Sequence, residues 1–174
     1  ESEERLRDLI RKIRELLEEI ERRLRDLNRR LREILKRIEE ESEKLNRELK
    51  KILDEARERG LLDKDLEREV RKISKDNKKK NDDLRRDVER ISRENRKNLE
   101  KLKKKVKDIE EELRRKPVTE ELLKEVRERL RELEEHARRD LETLKRMIRK
   151  LEEEAKKDLR ELEKMIKDIR DKLK

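Results

Sequence analysis

The sequence predicts an all-α protein, an antiparallel up-down-up three-helix bundle of long, nearly untwisted helices. Two observations carry this expectation. The first is a pattern that recurs every eighteen residues: Leu66, Val70, Ile73, Ser74, Asn77, then Leu84, Val88, Ile91, Ser92, Asn95, then Leu102, Val106, Ile109, Leu113. Eighteen residues are five whole turns at about 3.6 residues per turn, so these side chains keep to one helix face without drift. The second is punctuation. The 174 residues contain one glycine, Gly60, and one proline, Pro117, and these two breakers divide the chain into three nearly equal lengths.

The elements follow in order. Ser2, with Glu3 and Glu4 behind it, is suited to start helix one, expected over about residues 2–59. Its apolar positions repeat as Leu9, Leu27, Leu45, as Ile13, Leu31, Leu49 and as Leu17, Leu35, Leu53. Gly60 suits the left-handed position that closes a helix, with Leu61 expected to pack back on Ala56. Asp63 then caps helix two, over about 63–115. Pro117 forces Lys116 out of helical geometry, and Thr119 can accept the first free amides of helix three, over about 119–173. Val118 and Leu123 have the spacing of a hydrophobic staple around that cap. Helix three repeats Val126, Leu144, Leu162, then Leu130, Ile148, Ile166, then Leu133, Leu151, Ile169. Connections this short make successive helices antiparallel neighbours, and helices of such length span roughly 80 Å at 1.5 Å per residue. A seven-residue repeat would wind them left-handedly, whereas the longer period implies little supercoil. The expectation is one domain over residues 1–174.

Composition bounds the function. Charged residues make up 63% of the chain and hydrophobic ones 29%, with no Phe, Tyr or Trp, far from globular usage of roughly a quarter charged. Disorder is not the reading, because the net charge is only +9 and the apolar residues are periodic. With no cysteine there is no disulfide and no zinc-thiolate site. No apolar run approaches the roughly 18 residues of a membrane span, and Glu-Ser-Glu-Glu-Arg lacks the features of a signal peptide. No natural location is expected, only solubility in the cytoplasm of whichever cell expresses the chain.

The polar residues inside the apolar arcs are the candidate site. Ile10, Asn28 and Asn46 occupy equivalent places in helix one, Leu113, Asn95 and Asn77 in helix two, and Leu122, Asp140 and Asp158 in helix three. In an antiparallel pair, residues at one height share an index sum, here 123 for helices one and two and 235 for helices two and three. The expected layers are Asn28 with Asn95 and Asp140, and Asn46 with Asn77 and Asp158. Ser42 falls level with Asn81 and Glu154, and Ser92 level with Thr143. An amide donates and accepts while a carboxylate only accepts, so two Asn around one Asp can satisfy much of a layer internally. The alternative for Asp140 and Asp158, near the edge of their arc, is to face water or to pair with a neighbouring arginine. Such layers would select register, because an apolar repeat of five turns lets a helix slide about 27 Å and still match.

Reactive chemistry is sparse. His136 with Asp140 at i+4 has too few companions for a zinc site, and position 133 is leucine where a di-iron bundle needs glutamate. The index sums set His136 beside Leu24 and Leu99 at the core edge, donating to a neighbour. No Ser, Thr or His is arranged as nucleophile and base, and a phosphate loop needs several glycines. No catalytic residue, metal or cofactor is expected. Between Leu61 and Lys116 there are 22 Lys and Arg against 15 Asp and Glu, a net of +7, densest at Lys78, Lys79, Lys80 and at Lys103, Lys104, Lys105. With acidic neighbours and no aromatic to stack on a base, these runs read as a solvated face, so no specific nucleic acid is expected. Nonspecific polyanion binding ranks lowest among the readings.

Taken along its whole length, the chain resembles computationally designed helical bundles. The likeness rests on equal helices, the eighteen-residue repeat, the loops Gly60-Leu61-Leu62-Asp63 and Pro117-Val118-Thr119, surfaces written in Glu, Lys, Arg and Asp, and the Asn, Ser and Asp interruptions. Spectrin-type three-helix repeats are similar in outline, but the tryptophan usual in them is absent. The resemblance implies no substrate and no cofactor. It points to a structural scaffold, a monomer without natural biochemical activity. The alternative is an interaction module that accepts a fourth helix or self-associates, since Leu17, Leu35, Leu53, Ile34 and Ile52 could reach beyond a three-helix core.

Overall fold

The computed structural model describes residues 2–174, and within them the fold is an all-α bundle of three helices: α1 (Ser2–Glu58), α2 (Lys64–Arg115) and α3 (Glu120–Lys172). Each carries acidic residues in its first turn and basic ones in its last, with Glu3, Glu4 and Arg57 on α1, Asp65, Glu67, Arg114 and Arg115 on α2, and Glu120, Glu121, Arg170 and Lys172 on α3. Both placements complement the helix macrodipole.

The helix ends show why the chain breaks where it does. Gly60 has φ of 69°; its N–H donates to the Arg57 carbonyl at 3.2 Å, and the Leu61 N–H to the Ala56 carbonyl at 2.8 Å. These two bonds are the Schellman close, and only a residue tolerant of the left-handed region completes it without strain. The Leu61 side chain departs from expectation. It is 43% exposed, and the following Leu62 packs against the buried cluster that contains Ala56. Asp63 Oδ1 accepts from the Leu66 N–H at 2.8 Å, and Thr119 Oγ1 accepts from the Leu122 N–H at 3.1 Å, so both caps stand one residue ahead of their helices. Val118 packs on the cluster that holds Leu123, completing the staple. Ser2 lies within the first turn of α1 and not ahead of it.

Each helix contributes a segment to each of two compact units. The first unit takes the chain up to Arg29 with Ile91–Met147. Its core joins Leu9 and Ile13 of α1, Val106, Ile109 and Leu113 of α2, and Leu122, Leu123 and Val126 of α3. The second unit takes Arg30–Arg90 with Ile148–Lys174. Its core joins Leu49, Ile52 and Ala56 of α1, Leu66, Val70 and Ile73 of α2, and Leu162, Ile166 and Ile169 of α3. Burying a Leu or Ile completely is worth roughly 1.5–3 kcal/mol, so three-sided cores of this kind hold helices whose surfaces are almost wholly charged. The buried positions keep the eighteen-residue period: Ile13, Leu31 and Leu49 on α1, Val70, Val88 and Val106 on α2, and Leu123, Leu141 and Leu159 on α3.

Candidate functional site: amide pairs between α1 and α2

In the first unit, Asn95 Nδ2 donates to Asn28 Oδ1 at 2.8 Å. In the second, Asn77 Nδ2 donates to Asn46 Oδ1 at 3.2 Å, and one turn away Ser42 Oγ donates to Asn81 Oδ1 at 3.1 Å. Asn77, Asn95 and Ser42 are the buried partners, 7%, 6% and 1% exposed. Asn28, Asn46 and Asn81 are half-buried. All three hydrogen bonds share the index sum 123. Ion pairs flank them at 124, namely Arg14 with Glu110 at 3.5 Å, Lys103 with Glu21 at 3.4 Å and Arg85 with Glu39 at 2.6 Å. Among the described residues no buried side-chain nitrogen or oxygen lacks a hydrogen-bond partner. A buried amide left alone would cost about 1–3 kcal/mol, so each pair makes its own height the favoured one.

The hydrogen bonds at these heights run between α1 and α2, and the α3 carboxylates take other partners. Asp140 is exposed and lies 3.5 Å from His136 Nε2 on its own helix. Asp158 is half-buried and faces Lys80 Nζ at 3.7 Å, without reaching Asn46 or Asn77. Glu154 and Thr143 are exposed as well; Glu154 and Asp158 line one recess with Ser42, Asn77 and Asn81, level with them as expected, while the hydrogen bond there runs between Ser42 and Asn81. Where the sequence leads to the expectation of three-residue hydrogen-bonded layers, the hydrogen bonds form between two residues, one on α1 and one on α2.

The cause is angular. Consecutive residues lie about 100° apart around a helix, and the inward positions of the α3 repeat are Leu141 and Leu159, one step beyond the aspartates. The ion pairs linking α2 to α3 run at sums of 238 and 241, as in Lys80 with Asp158, Glu112 with Arg129 and Glu69 with Lys172. These long, partly exposed side chains bridge diagonally, while Leu113 and Leu122, Ile109 and Val126, Leu66 and Ile169, and Ile73 and Leu162 share buried clusters at the expected 235. A carboxylate at the edge of an arc, free to turn outward, takes the hydrated ion pair over desolvation among leucines.

His136 lines a recess with Leu24 and Leu99, as its position suggests, yet its side chain is 68% exposed. The lysine runs of α2 are engaged in part: Lys80 also approaches Glu161 at 4.0 Å, and Lys103 lies 3.9 Å from Glu100 besides Glu21. Sequence reasoning missed the most strongly perturbed group. Glu112 accepts from Lys116 at 2.8 Å and from Arg129, and these hydrogen bonds hold its carboxyl at about 2, against an ordinary 4.5. Its α2 signal was legible, since Glu112 and Lys116 are an i,i+4 pair; Arg129 comes from α3 and needs the fold. A hydrogen bond from the Lys156 ammonium lowers the Glu152 carboxyl, and one from the Arg85 guanidinium to Glu39 raises Arg85. Among the described residues no three His, Cys, Asp or Glu side chains gather as a metal site, and no helix is long and apolar enough to cross a membrane.

The arrangement can set the relative height of two helices, and nothing in it presents a nucleophile beside a base. No protein family, curated protein or solved structure matches the chain.

Proposed function

We propose that the protein is a structural scaffold: a de novo designed, monomeric helical bundle without natural enzymatic activity, in which paired amides set the register of an otherwise repetitive core. One observation supports this above the others. Asn28 with Asn95, Asn46 with Asn77 and Ser42 with Asn81 all bond at a single index sum across two separate units. A displacement by one repeat would re-form only one amide pair, Asn46 with Asn95, and would set Asn28 opposite Leu113 and Ser42 opposite Leu99, leaving Asn28 without a partner. The closing loop at Gly60 holds this register within one chain. The amides extend the constraint to pairings the loop does not govern, such as exchange of a helix between copies.

Disulfide trapping tests the register. Cysteines introduced in place of two exposed residues across α1 and α2 whose numbers sum to 123 or 124 are expected to link rapidly under oxidation. Pairs offset by eighteen residues are expected to stay reduced, and trapping of the offset pairs would refute the reading.

A second reading is an interaction module that takes up another helix. It is favoured by Leu17, Leu35 and Leu53, which repeat along α1 and stay half-buried. Sedimentation equilibrium separates the two: 21.8 kDa supports the scaffold monomer, and twice that mass supports self-association.

A further inference from the structure

A single recess is written twice in this chain, once in each unit, with opposite chemistry. In the second unit a cavity of about 160 Å³ lies among Ser42, Asn81, Ile38, Leu84, Ala155 and Leu159. Moving each of these by eighteen residues gives Leu24, Leu99, Ile20, Leu102, Ala137 and Leu141, which surround a cavity of about 80 Å³ in the first unit. Both have one origin. At Ala137 and Ala155 the inward face of α3 carries a methyl group where most of its buried positions carry leucine or isoleucine, and a methyl does not fill the space between three helices.

What differs is how the space can be filled. The second recess offers the Ser42 hydroxyl and the amides of Asn77 and Asn81, enough partners to seat water. The first has aliphatic residues at those depths. Ile20, Leu24, Ala137 and Leu141 are buried, and Leu99 and Leu102 are half-buried. The polar residues there, Asn98, Lys101, Lys105, His136 and Asp140, are all exposed and form its rim. A water at the floor would find none of the two to four hydrogen bonds it needs, and the empty space deprives the surrounding methyls of dispersion contacts.

We propose that the recess beside Ala137 binds small apolar ligands of a few heavy atoms, and that the residue pair at 24 and 99 confers this on it while the pair at 42 and 81 denies it to the twin. An apolar cavity of roughly 150 Å³ stays dry and accepts benzene or xenon. At about half that volume the recess suits a xenon atom or a short alkyl group, and an aromatic ring exceeds it.

The test uses the full chain with labelled Leu, Ile and Val methyl groups, titrated with xenon and followed by NMR. Saturable shifts are expected at Ile20, Leu24, Leu99, Leu102 and Leu141, and none at Ile38, Leu84 or Leu159. The double substitution L24S/L99N, which copies the twin's polar pair, should abolish them. A137L, which fills the space from α3, should abolish them too. The converse change S42L/N81L should create a second set of shifts at Ile38, Leu84 and Leu159. No saturable shift at the first recess, or equal shifts at both recesses in the unaltered protein, would overturn the proposal. So would an S42L/N81L protein that gains no second set, a result that stands even if L24S/L99N fails to fold.

Discussion

Replacing Asn28 and Asn95 together by leucine is expected to raise stability while weakening the uniqueness of the pairing. The position of Asn95 on α2 accommodates a leucine, because its equivalent one repeat along is Leu113, 1% exposed. The equivalent of Asn28 on α1 is Ile10, half-buried. Burying one leucine fully and another by about half returns roughly 2–4 kcal/mol. Losing the 2.8 Å amide bond costs about 0.5–1.5 kcal/mol. The net gain is about 2 kcal/mol, or roughly 4–8 °C in melting temperature for a chain of this size. Asn95→Ala alone should do the reverse, lowering stability by about 1–3 kcal/mol, because it removes the donor and leaves space behind. Calorimetric melting of the parent, Asn28→Leu, Asn95→Leu and the double variant completes a cycle whose coupling should be about 0.5–1.5 kcal/mol. Disulfide trapping of offset cysteine pairs on the same double variant reads uniqueness directly. A double variant that melts below the parent, or a cycle with no coupling, would refute the account of the pair as a specificity device that costs stability.

The aspartates should behave differently: Asp140→Leu and Asp140→Asn are expected to stay within about 0.5 kcal/mol of the parent, since the side chain is exposed and its partner His136 is too. A loss of several kcal/mol would restore Asp140 to the layer. The Glu112 carboxyl should titrate near 2 when followed by NMR, and Arg129→Gln should move it toward 4.5. Because its folded value is depressed, its contribution to stability is complete above the unfolded value and disappears as pH falls through about 2; an ordinary midpoint in the parent would remove that contribution. Gly60→Ala should destabilise by about 1–2 kcal/mol in urea unfolding through the left-handed backbone alone, because an added Cβ meets nothing within 4 Å. No change would mean that the turn re-forms another way. Thr119→Ala should cost about 0.5–2 kcal/mol as the Leu122 N–H loses its cap, and an unchanged melt would assign that amide to water.

Much of the fold is legible in one dimension, because its determinants are local. Apolar period names the inward face of each helix, Gly60 and Pro117 name the breaks, and Asp63 and Thr119 name the starts, each through bonds spanning only a few residues. The height of α1 against α2 is legible too. The short turn at Gly60 ties the two helices, and Asn28, Asn46 and Ser42 meet Asn95, Asn77 and Asn81 at the sum that their common spacing implies. The facing of α3 was decided only by tertiary packing. A five-turn repeat specifies the inward face but leaves open which of two adjacent residues, Asp140 or Leu141, takes the inward position. Packing resolved this in favour of buried leucine and hydrated carboxylate, because desolvating a charge costs more than a layered hydrogen bond returns.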